Sequence, residues 1–92
     1  LLAVNDVTLN TSRYDVYSGK TQFLIELSKD LSVLLTLLDE EEREVEVILD
    51  ELLTAGEHAV DFDPSHLKNG NYYLSLKTEG TSILRRITVE KS

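Results

Sequence analysis

The chain reads as an all-β protein, a small antiparallel β-sandwich of about seven strands. Short runs rich in β-branched and aromatic residues recur between turn formers. Within most of these runs apolar and polar residues alternate with the two-residue period of a half-buried strand. The stretch Gly56 to Tyr72, GEHAVDFDPSHLKNGNY, writes two strands and the loop between them.

Val4 to Leu9 and Tyr14 to Tyr17 are weak runs separated by the polar Asn10 to Arg13, and they read as edge strands. Thr21 to Leu27 sets Phe23, Ile25 and Leu27 against Gln22 and Glu26, and Ser32 to Leu38 sets Val33, Leu35 and Leu37 on one face, with Lys29-Asp30 as the turn between them. The acidic run Asp39 to Glu42 reads as a solvated hairpin tip. It leads into Arg43 to Leu49, where Val45, Val47 and Leu49 are expected inward and Glu44 and Glu46 outward. The apolar residues between Leu31 and Leu52 also fall on helical spacing, which permits an amphipathic helix from about Leu31 to Thr54. Val33, Thr36, Val45, Val47 and Ile48 are β-branched and favour strands instead.

After Gly56 the inward face is His58, Val60 and Phe62, and Pro64 ends the strand because it has no N–H to donate. Asp63 is placed to accept backbone N–H groups just beyond Pro64, starting a short helical turn over Ser65 to Leu67. Gly70 returns the chain to a strand with Tyr72, Leu74 and Leu76 on one face; Glu79-Gly80 is a hairpin signal, and Ser82 to Glu90 closes the domain with Ile83, Ile87 and Val89 inward.

At 92 residues this is one domain with one modest core. The net charge of −8 repels phosphate backbones and anionic lipid surfaces, so nucleic acid is a poor partner. The longest apolar runs are far short of a spanning helix, so membrane insertion is not expected. The absence of Cys excludes disulfides and thiolate metal sites. The chain begins at Leu1 rather than Met, which suggests a domain of a longer protein or a processed chain.

Ser, His and Asp all occur, but nothing resembles a nucleophile elbow, and a sandwich this small rarely encloses a pocket; no catalytic residue and no cofactor is assigned. His58 and His66, the only histidines, match no common metal-ligand spacing and read as a strand residue and an exposed turn residue. Asp61, Asp63 and Asn69 offer hard oxygens to calcium around Pro64, although turn stabilisation is the default reading. Arg85 and Arg86, the only basic pair, can face Glu44 and Glu46 on a neighbouring strand or dock to an acidic partner. Tyr72 reads as core and Tyr73, on the opposite face, as an exposed contact.

Taken together, Leu38-Asp39, Arg43-Glu44-Val45, Ala55 to Asp63, Leu67 to Tyr72 and Ile87 to Lys91 resemble the immunoglobulin-like repeat of type IX secretion C-terminal sorting domains and flagellar hook-capping proteins. In that pattern a strand ends in a pair such as Tyr-Asp, a Gly-Arg/Lys-x-Val turn follows, and then come a Gly-x-His-x-Val-x-Trp-Asp strand, a Leu-x-x-Gly-x-Tyr loop and a last strand ending near a Lys. The likeness covers roughly Phe23 to Lys91. Glu42 stands where the turn Gly is usual and Phe62 where Trp is usual; Glu is strained at a positive φ that Gly accepts freely.

The resemblance implies an immunoglobulin-like sandwich over residues 21–92, preceded by an edge strand or linker over residues 1–20. It implies a non-enzymatic secreted or cell-surface protein whose partner is a secretion or surface-attachment apparatus that recognises the last strand, Ile83, Arg85, Arg86, Ile87, Val89 and Lys91. Gly56, His58, Phe62, Asp63, Gly70 and Tyr72 would be structural. The alternative is a structural subunit of an extracellular filament or assembly, a homo-oligomer joined by its edge strands, with Val4, Val7 and Leu9 completing a neighbour's sheet. An accessory carbohydrate-binding module would need exposed planar aromatics, for which Tyr73, Tyr14 and Tyr17 are the candidates.

Overall fold

A computed structural model describes residues 6–10, 14–15 and 20–90. The strands are β1 Val7–Asn10, β2 Tyr14–Asp15, β3 Lys20–Leu27, β4 Leu31–Leu38, β5 Glu44–Leu53, β6 Gly56–Phe62, β7 Gly70–Thr78 and β8 Thr81–Val89, with one 3-10 turn over Pro64–His66. In the first sheet β3 is central. It pairs with β6 along one edge, and with β1 and β2 at the two ends of its other edge, so β1 and β2 share one strand position. The second sheet runs β5-β4-β7-β8, and every pairing in both sheets is antiparallel.

The chain crosses from one sheet to the other after β3, returns after β5 and crosses again after β6, while β4–β5 and β7–β8 are hairpins within the second sheet. This is the Greek-key connectivity of an immunoglobulin-like sandwich with seven strand positions. Residues 31–53 form the β4–β5 hairpin, and no α-helix occurs among the described residues.

The inward faces meet in one core. Phe23 and Ile25 of β3, Leu35 and Leu37 of β4, and Leu74 and Leu76 of β7 are each 0% exposed. Phe62, standing where Trp is usual, stacks on Phe23 with ring centroids 5.9 Å apart. Val7 and Leu9 belong to the same core, at 3% and 4% exposure, and β1 pairs with Leu24 to Leu27. The Ser28 backbone N–H donates to the Asp6 carbonyl at 3.0 Å and the Ser28 hydroxyl to the Asp6 carboxylate at 2.7 Å. Residues 7–10 are therefore an integral strand, and the reading of Val7 and Leu9 as docking contacts for a neighbour is corrected: their side chains are already spent on this chain's own interior. Val4, Tyr17 and Lys91 lie outside the described residues.

The loop between β6 and β7 follows the expectation closely. The Ser65 N–H donates to the Asp63 carboxylate at 2.9 Å, and the Leu67 N–H closes the turn on the Pro64 carbonyl at 2.9 Å. Tyr72 is half-buried, and its hydroxyl donates to the Lys68 carbonyl at 2.7 Å. That bond, from a Tyr near the start of a strand back to the corner before it, is the tyrosine corner of immunoglobulin-like sandwiches. Gly56 and Gly70 open β6 and β7 at φ 118° and 153°, backbone that other residues adopt only with strain.

Strand β5 departs from expectation. It runs to Leu53, and its register against β4 slips between Leu35 and Thr36 and again between Leu37 and Leu38. Each slip reverses the inward and outward sense of the residues beyond it. Val45 and Val47 are consequently 42% and 48% exposed, whereas Glu46 lies opposite the inward Leu37. Replacing Leu9 by Ala is expected to lower unfolding stability by about 2 to 4 kcal/mol in urea titrations; an unchanged midpoint would mean that β1 is a dispensable appendage.

Candidate functional site: the edges of the four-stranded sheet

Among the described residues β8 is the last strand at one edge of the second sheet, nine residues paired with β7 in unbroken register. It contains no acidic residue and carries Arg85 and Arg86; β5, on the opposite free edge, contains Glu44, Glu46, Asp50 and Glu51 and no basic residue. The expected pairing of Arg85 and Arg86 with Glu44 and Glu46 is therefore corrected: two strands stand between them. Both arginines are exposed, and neither makes an ion pair with another described residue.

The two arginines face different ways. Arg85 is opposite Leu74, on the inward row of β8 with Ile83 and Ile87. It stays exposed because β8 is an edge and its guanidinium can leave the sandwich sideways. Ile87 and Val89 are buried and Ile83 half-buried, so of the last-strand residues singled out from the sequence, the two arginines are the ones accessible on the strand. Arg86 and Leu84 lie on the outer face, Leu84 at 47% exposure. An open cleft of about 330 Å³ separates the β8 edge from β1, lined by Val7 to Leu9 and Thr81 to Arg85.

A second trough crosses the outer face of this sheet. Thr36 and Ser75, paired across β4 and β7, are buried in its floor, with Leu34, Leu38 and Leu84 beside them and Glu42 and Glu44 on its rim. Tyr73 is half-buried on the same face.

The acidic hairpin tip is a built turn. The Glu42 N–H donates to the Asp39 carbonyl, the Asp39 N–H to the Arg43 carbonyl, and the Asp39 carboxylate accepts the N–H groups of Glu41 and Arg43 at 2.8 and 2.9 Å. Glu42 sits at φ 62°, the left-handed conformation that the last residue of a three-residue hairpin loop adopts when it follows a turn and forms a bulge. The backbone bond from Arg43 holds the Asp39 carboxyl below its ordinary value of 3.8, helped by the Glu41 N–H and by the Arg43 charge and opposed by desolvation. Asp6 is lowered likewise by the Ser28 hydroxyl and by Lys29, whose ammonium is 3.6 Å away.

The residues considered as ligands have protein partners. Asp61 accepts from the Gln22 amide at 3.2 Å and Asp63 caps the 3-10 turn. His58 Nε2 meets the Thr54 carbonyl at 2.7 Å, and His66 Nε2 meets Glu46 at 2.6 Å, a link between the loop and β5 that the sequence did not reveal. No three His, Asp or Glu side chains converge as a metal cage among the described residues, and no helix there is long and apolar enough to cross a membrane.

No family model matches the chain, and no curated protein matches it.

Two outcomes follow from the hairpin tip. Glu42→Gly is expected to raise stability by up to about 1 kcal/mol in thermal or urea melts, by removing the left-handed strain. A carboxyl lowered in the fold contributes stability above the unfolded value of 3.8 and loses it as the pH falls through the folded value. Asp39→Asn is therefore expected to be less stable than the parent at pH 7 and to converge toward it as the pH falls below the ordinary carboxyl value of 3.8; parallel stability curves from neutral to acid pH would remove Asp39 from this role.

Proposed function

We propose that the chain is a non-enzymatic immunoglobulin-like module of a secreted or cell-surface protein, of the type IX sorting-domain kind, whose working surface is its last strand. The observation that carries this reading is the placement of β8: among the described residues a strand paired on one side only, with the chain's only basic pair exposed on it in a molecule of net charge −8. A strand read by a translocon has to offer backbone and side chains that its own sheet does not consume, and an edge strand does so. The residues of the resemblance that hold the β6–β7 crossover, Asp63, Gly70 and Tyr72, support it from the side of the scaffold.

The test is a secreted reporter fused ahead of the full chain in a bacterium with a type IX system. The parent fusion is expected on the cell surface or in the medium, and the R85E/R86E fusion is expected to accumulate in the periplasm. Periplasmic retention of the parent fusion overturns the reading.

A second reading, a structural subunit that associates by strand addition, is favoured by the opposite charges on the two free edges of one sheet, β8 and β5.

A further inference from the structure

We infer that copies of this chain join head to tail, with β8 of one copy continuing its sheet onto β5 of the next in one defined register. The inference deepens the strand-addition reading and rests on it: it names the partner, a second copy, and the residues that meet.

The direction of the strands permits it. Neighbours in the order β5-β4-β7-β8 alternate in direction, so β5 of a second copy placed beside β8 in the same orientation runs antiparallel to it. The regular half of β5 is Leu49 to Leu53, beyond the register slip at Leu35/Thr36. Its inward row is Leu49, Glu51 and Leu53, opposite Leu35, Val33 and Leu31, and its outward row is Asp50 and Leu52. On β8 the inward row is Ile83, Arg85 and Ile87, and the outward row is Leu84 and Arg86.

Laid antiparallel with these faces aligned, one register sets Ile83 against Leu53, Leu84 against Leu52, Arg85 against Glu51, Arg86 against Asp50, and Ile87 against Leu49. Every apolar residue then meets an apolar residue and each arginine a carboxylate, on both faces of the joined sheet. Directly opposed residues of this kind, with Cβ atoms roughly 5 Å apart, are the unit that stabilises a sheet. Leu52 and Leu84, 69% and 47% exposed, would cover each other. Among the described residues none of Asp50, Glu51, Arg85 and Arg86 has an ion-pair partner within its own chain.

The same charges oppose the alternatives. Two β8 edges placed together would bring arginine pairs close, and two β5 edges would oppose carboxylates, both destabilising. An inward-row charge at an edge is a device that blocks indiscriminate strand pairing. Here β8 carries Arg85 and the regular half of β5 carries Glu51, of opposite sign, so that each block is relieved by the other edge. Because the two surfaces differ, the contact is heterologous and builds an open row rather than a closed dimer.

The experiment is sedimentation of the full chain from about 10 μM to about 1 mM, the weak end of specific association. The parent mass is expected to rise with concentration. R85E/R86E and D50K/E51K, each checked by circular dichroism, are expected to associate about tenfold or more weakly. An equimolar mixture of the two variants, or one chain carrying all four substitutions, is expected to recover association, which a variant that merely failed to fold would not do. The chain has no Cys, so L52C/L84C treated with a short thiol cross-linker should give a ladder of multimers. Association that survives both charge reversals, or that gives no ladder, overturns the β8–β5 contact while leaving strand addition standing; a strict monomer throughout the range overturns both.

Discussion

The interior rests on β3. It is hydrogen-bonded along both edges, to β6 on one side and to β1 and β2 on the other, so it alone holds the first sheet together. Its inward residues Phe23, Ile25 and Leu27 supply the surface on which Leu35, Leu37, Leu74 and Leu76 of the facing sheet close. Without that layer the second sheet would expose an apolar face to water, and a lone sheet of this size has too little burial to offset its ordering entropy. The crossovers serve the same arrangement: the Ala55 N–H donates to the Asp30 carboxylate at 2.9 Å, which ties the loop leaving β3 to the loop entering β6.

The inward face of β3 is committed to the core and both its edges are paired, whereas the second sheet ends in two strands, β5 and β8, each paired on one side among the described residues. That sheet is longer, its two ends are chemically opposite, and each is kept from casual pairing by a different means. β5 carries bulges and carboxylates; β8 is regular and relies on Arg85 pointing along the inward row. The two proposed uses of β8, recognition by a secretion apparatus and strand addition to a second copy, would exclude each other, since both need the backbone of that strand.

Much of this fold was legible because its strands obey simple alternation. The faces of β3, β4, β6, β7 and β8 follow from period two, and the cap at Asp63 follows from an Asp-Pro pair with a polar residue after it. β5 was half legible. Its bulges arise where the tight Asp39–Arg43 turn and the strand beyond it must both fit against β4, a constraint between segments that alternation within one segment does not carry. The charges of the candidate edges were visible in the residues, but not that β5 and β8 lie on opposite sides of one sheet. For the same reason alternation does not show that two strands, β4 and β7, separate Arg85 and Arg86 from Glu44 and Glu46. The burial of Val7 and Leu9 was hidden by their weak, short run, which reads equally as a strand for export and a strand kept at home.

The separation of Arg85 and Arg86 from Glu44, Glu46, Asp50 and Glu51 by the width of one sheet has an electrical side. With strands about 4.8 Å apart, the two edge strands stand roughly 14 Å from each other, which gives the module a dipole moment lying in the plane of the sheet and across its strands. A protein of net charge −8 is pushed away from a polyanionic envelope as a whole, yet that in-plane dipole turns it as it approaches, with its arginine edge foremost.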